Sequence, residues 1–136
     1  MKKKSFISVI ILAIVCLLIS CAELVFIPKG SKSLGVYEGS FSGNMYEGTL
    51  RIELFQTPKG DKLFEGTFYR NTADPYARKV FFVQGNMKSS SLKGTMQADF
   101  SGTLTGKISP DGNRLTGSYN ITQPDLAKGT WRAQKK

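Results

Sequence analysis

From residue 35 onward the chain repeats one short pattern: apolar, any, glycine, any, apolar. It reads Tyr37-x-Gly39-x-Phe41, Tyr46-x-Gly48-x-Leu50, Phe64-x-Gly66-x-Phe68 and Val83-x-Gly85-x-Met87, then Leu92-x-Gly94-x-Met96, Leu104-x-Gly106-x-Ile108, Leu115-x-Gly117-x-Tyr119 and Ala127-x-Gly129-x-Trp131. A spacing of two puts the three key residues of each copy on one face of a strand. The positions between them are polar, as in Glu38, Glu65, Thr67, Lys93, Thr95, Lys107 and Thr116. Apolar in and polar out is what a half-buried antiparallel strand requires.

The gaps carry turn chemistry. Ser42-Gly43-Asn44, Thr57-Pro58-Lys59-Gly60-Asp61, Pro110-Asp111-Gly112-Asn113 and Gln123-Pro124-Asp125 separate the alternating runs. Such pairs mark hairpins. The pattern predicts eight strands, at about 35–43, 46–56, 62–70, 78–87, 91–99, 102–109, 113–122 and 127–134. No segment in this region keeps a 3.6-residue period. A meander of hairpins points to an all-β, eight-stranded, up-and-down barrel, because closure removes both exposed edges. A β-sandwich is the alternative. The strand-central glycines favour the barrel, since a missing side chain allows sharp coiling in a narrow cylinder. Such a barrel is either filled by side chains or holds one small ligand.

The amino end follows a different rule. Lys2, Lys3 and Lys4 precede an apolar run from Phe6 to Ile19, interrupted only by Ser8. A charged start, an apolar stretch and small residues before a cut describe an export signal. Leu18-Ile19-Ser20-Cys21 resembles the lipobox of bacterial lipoproteins. The resemblance implies a signal peptide at 1–20, a diacylglyceryl group on the Cys21 sulfur, cleavage before Cys21 and acylation (palmitate or a similar chain) of the new amino end. Two or more acyl chains hold a protein stably at a membrane, where one holds it only marginally. An uncleaved signal anchor is the competing expectation, since the apolar character runs on nearly to Ile27. Ala22 lacks the inner-membrane retention residue of Gram-negative lipoproteins, which implies an outer-membrane address, facing the periplasm or the cell surface, in a host with two membranes. Residues 21–34 then read as a lipidated tether with linker composition at Pro28-Lys29-Gly30-Ser31, and 35–136 as the barrel domain.

The 136 residues carry 19 basic and 10 acidic side chains and no His. Without His, Ser-His and Cys-His nucleophilic pairs are excluded. Of the two cysteines, Cys16 leaves with the signal and Cys21 carries lipid, so neither a disulfide nor a thiolate metal site is expected. Glu38, Glu47, Glu53 and Glu65 fall in the outward register, as solvated carboxylates usually do, and Asp111 is a turn former. No enzyme, cofactor or metal is expected. Export argues against a nucleic-acid partner despite the basic balance, which suits anionic lipid, polysaccharide or plain solubility.

The strands Gly35-Val36-Tyr37-Glu38-Gly39, Phe64-Glu65-Gly66-Thr67-Phe68 and Gly129-Thr130-Trp131 resemble those of avidin-like and lipocalin-like barrels. Avidin-type biotin binding does not follow, because Trp131 is the chain's one tryptophan. Two candidate sites emerge. Tyr37, Phe41, Phe68, Tyr119 and Trp131 share the inward register and form either a packed core or a pocket for a small apolar ligand. Arg70, Tyr76, Arg78 and Lys79 lie in a longer loop with the composition of an interface. Phe55, Tyr69 and Phe82 fall in the outward register and suggest a surface patch or a contact with another subunit. The expected function is a membrane-anchored, non-enzymatic barrel that binds a small apolar ligand or an envelope component. The alternative is an interaction or inhibitor module that acts on an envelope protein through its loops.

Overall fold

A computed structural model describes residues 27–72, 80–97 and 99–136. Cys21, Tyr76, Arg78 and Lys79 lie outside the described residues, and so does the lipobox. Eight strands follow one another: β1 (Lys32–Gly43), β2 (Glu47–Gln56), β3 (Lys62–Arg70), β4 (Val80–Lys88), β5 (Ser91–Gln97), β6 (Ser101–Ile108), β7 (Arg114–Gln123) and β8 (Ala127–Lys135). Each pairs antiparallel with the next, and β8 returns to β1, so the sheet closes into a barrel. Among the described residues every ladder lies within residues 32–135, and the same segment carries the buried core cluster.

The strands follow the alternation closely. The apolar members of the motif face inward and the residues between them are mostly exposed. One boundary moves. The expected tether ran to Leu34, but β1 begins at Lys32, because Lys32 and Ser33 pair with Gln56 and Phe55 of β2. A register shift between Ser33 and Gly35 lets Leu34 lean onto the core, so this stretch is strand rather than linker. Within the expected fifth strand, the ladder ends at Gln97 and Asp99 sits in a turn.

The meander defines two ends. At the basal end lie the β2–β3, β4–β5 and β6–β7 turns, the start of β1 and the carboxyl terminus. At the distal end lie the β1–β2, β3–β4, β5–β6 and β7–β8 connections. The turns lock to their strands through side chains. Thr57 Oγ1 accepts the Asp61 N–H at 3.1 Å, and Asp111 Oδ1 accepts from Ser109 Oγ at 2.5 Å and from the Asn113 N–H at 3.1 Å.

The glycines let the wall and the core meet without a gap. Gly117 of β7 pairs with Gly106 of β6 on one side and with Trp131 of β8 on the other. The Trp131 ring lies over both glycines, so closely that a Cβ on Gly106 would come within 2.5 Å of it. The indole N–H then reaches the carbonyls of Thr105 and Ser118, each at 3.2 Å. Placing a large ring over a strand glycine fills the space that the missing side chain would otherwise leave.

Candidate functional site

Six rings, Phe41, Tyr46, Phe68, Phe81, Phe100 and Tyr119, form a connected aromatic cluster. Phe68 and Phe81 are stacked with centroids 4.8 Å apart, and Phe41 meets Phe68 at 5.2 Å, Phe81 at 5.5 Å and Tyr119 at 5.9 Å. These separations are those of rings in direct contact. Tyr37, Phe41, Phe68, Tyr119 and Trp131 are all buried and belong to one hydrophobic cluster. The structure therefore brings the five together as the packing of one core.

Both mouths are closed by tyrosines. At the basal end the Tyr37 hydroxyl donates to the Gly112 carbonyl of the β6–β7 turn at 2.6 Å. At the distal end Tyr46 and Phe100 meet edge to face at 6.2 Å, and Phe100 also packs on Phe81 at 5.2 Å. The Tyr119 hydroxyl donates to the Tyr46 carbonyl at 3.2 Å, and the Arg70 guanidinium lies 5.1 Å from the centre of the Tyr46 ring. Arg70, expected as part of an interaction loop, thus caps an aromatic plug. Sequence reasoning missed Phe81 and Phe100. Phe81 shares the parity of Val83 and Gly85, so its inward register was readable. Phe100 sits in a turn, where no period operates.

Burial pushes the Tyr37, Tyr46 and Tyr119 phenols above their usual range. The carboxylate of Asp111 adds to this at Tyr37, that of Asp125 at Tyr46, and Tyr46 itself at Tyr119; the nearby Arg70 opposes it at Tyr46. A phenol whose folded pKa is raised stays protonated where the unfolded chain has already ionised. Stability is then full below the unfolded phenol pKa of about 10 and falls as pH rises past it. Alkaline unfolding followed by tyrosinate absorbance should show these phenols ionising together with loss of the barrel. Ionisation of all three before any loss of β structure would contradict this arrangement.

The outer wall offers a different surface. Phe82 is 48% exposed and Tyr69 38% exposed. Thr67 pairs with Phe82 and Tyr69 with Val80, so the two rings are diagonal neighbours on β3 and β4. Beside them Glu53 of β2 stands directly opposite Glu65 of β3, which in turn stands opposite Gln84 of β4. Arg51, Glu53, Glu65, Thr67, Tyr69, Phe82 and Gln84 line a shallow hollow of about 210 Å³. Like charges directly opposite in a ladder cost stability. Phe55 is half-buried on the same wall. The other two carboxylates of the outward set lie apart: Glu38 pairs with Lys136 at 3.0 Å, and Glu47 is at the distal start of β2.

Among the described residues no group of three or more potential metal ligands occurs, and no helix is long and apolar enough to cross a membrane. No protein-family model matches the chain, and no curated protein matches it significantly.

Proposed function

We propose that this chain is a lipid-anchored protein of the bacterial envelope, held at the membrane through Cys21, and that its barrel binds another envelope protein without catalysing a reaction. The observation that carries this reading is a core filled by its own rings combined with two exposed rings beside an opposed glutamate pair. The filled interior favours recognition on the outside of the barrel over carriage of a small apolar ligand. On the β2–β4 wall, Tyr69 and Phe82 supply apolar anchors, and aromatic residues dominate the energetics of protein interfaces. Glu53 and Glu65 are like charges directly opposite in the ladder, an arrangement that disfavours the free wall, and Arg51 is the cation that lines the same hollow. A partner that offers Lys or Arg beside an apolar contact would relieve that repulsion and cover the rings in one step. The lipobox resemblance and the basic, apolar start of the chain support the anchor, and the barrel is complete without residues 1–26.

A photo-crosslinking residue at Phe82 tests the binding wall. In intact cells it should give a discrete protein adduct, while the same residue at Thr103, on β6, should not. Glu53→Lys with Glu65→Lys should abolish the adduct by reversing the charge that attracts the partner. Equal adducts from both positions, or an adduct indifferent to the charge reversal, would refute this wall as the interface.

A further inference from the structure

The charge on the barrel is polarised along its axis. Lys32, Lys59, Lys62, Lys88, Lys107 and Lys135 stand at the basal strand ends and turns, and all six are exposed. The carboxylates of the basal turns are Asp61 and Asp111. Asp111 is already engaged by Ser109 and Asn113 within its turn. At the distal end the described residues carry Glu47, Asp99 and Asp125 against Arg70 and Lys128. Among the described residues the basic surplus is therefore concentrated at one end and absent from the other.

The same end receives the amino-terminal segment. Pro28 lies with Thr57, Pro58 and Leu63 along one hollow of the β2–β3 turn, and Gly30 with Gln56 and Thr57 along the next. Ser31 is tied back to the Pro28 carbonyl through both its N–H (3.2 Å) and its hydroxyl (2.7 Å). The chain thus meets the barrel as an ordered turn against its basic rim. Only five residues separate Cys21 from the first described residue, Ile27, and a stretch of that length spans at most about 20 Å even when fully extended.

We infer that the basal rim is a docking surface for anionic phospholipid headgroups, and that it holds the barrel upright on the membrane with the distal end pointing away. This inference rests on the proposed anchor for its geometry, because attachment at Cys21 brings this end, and not the distal one, to the bilayer. The physical basis is charge complementarity. Lysines within a Debye length of an anionic leaflet are attracted to it, and several on one rim add together. Docking of this kind also presents the β2–β4 wall sideways, clear of the headgroups.

The test uses the chain from residue 22 onward, whose barrel closes within itself, so that binding is read without any acyl chain. Sedimentation with vesicles of phosphatidylcholine containing phosphatidylglycerol should capture it, and vesicles of phosphatidylcholine alone should not. Added salt should release it. Lys59→Gln and Lys62→Gln should each weaken binding roughly fivefold, and the pair roughly 25-fold. Lys128→Gln, at the distal end, should leave binding unchanged. No preference for phosphatidylglycerol, or equal losses from Lys128→Gln and Lys62→Gln, would overturn the inference. So would capture by a soluble anionic polysaccharide in place of the vesicles. If the vesicle result fails while the full chain still incorporates fatty acid at Cys21, the anchor stands and only the docking rim is lost.

Discussion

Gly117→Ala should cost about 3 kcal/mol or more, or prevent folding outright, although it adds a single methyl group. A Cβ at this position would run into the backbone carbonyl of Thr105 and come within 2.7 Å of the Gly106 Cα and 2.8 Å of the Trp131 ring. A flexible side chain can turn aside, but a paired backbone cannot. The β6 segment is fixed on both sides by its ladders to β5 and β7, and Trp131 bonds to the Thr105 carbonyl from within. Relief would require β6 and β7 to separate, at the expense of ladder hydrogen bonds. Thr116→Ala, one residue earlier and exposed, should change stability by no more than about 0.5 kcal/mol. Urea midpoints for the two variants give the comparison. Adding Trp131→Ala to Gly117→Ala should not rescue it, because the obstructing atom belongs to the backbone. A Gly117→Ala protein as stable as the Thr116→Ala protein would show that the close approach of β6 and β7 does not exist.

Cys21→Ser should abolish incorporation of labelled palmitate, while Cys16→Ser should leave it intact. The expectation follows from chemistry: thioether formation needs a sulfur nucleophile, and a serine hydroxyl is no substitute under the same conditions. Mass spectrometry of the unmodified gene product should place the amino end at residue 21, with the three lysines of the start removed. Acyl chains stabilise membrane attachment by about 0.8 kcal/mol for each buried CH₂, so the effect on partitioning is close to all or none. Label retained in Cys21→Ser, or absent from the unaltered protein, would favour the uncleaved signal anchor.

The two candidate sites differ in how far the chain alone revealed them. Parity along each strand was enough to assign Tyr37, Phe68 and Trp131 to the inside and Phe55, Tyr69 and Phe82 to the outside, and the structure places all six accordingly. Parity could not say whether the inside was hollow. That depended on Trp131 lying over glycines of two other strands, and on Phe100 entering from a turn. The opposition of Glu53 and Glu65 was hidden as well. They are twelve positions apart, and their apposition is a property of the β2–β3 register.

The two-residue alternation and its turns determined the strands, their inward faces and the likelihood of closure, because these depend on side-chain direction and on backbone pairing between neighbours in the chain. What only the tertiary structure decided was which residues meet: the rings packed in the core and at its two ends, the facing of Glu53 and Glu65 on the outer wall, and the basic rim gathered from five separate segments. The facing glutamates meet through the β2–β3 register, whereas the contacts of Phe41 with Phe81 and Tyr119 and of Trp131 with Gly106 join strands that are not consecutive, and their geometry is set by the stagger with which the sheet closes on itself, a quantity that no local pattern encodes.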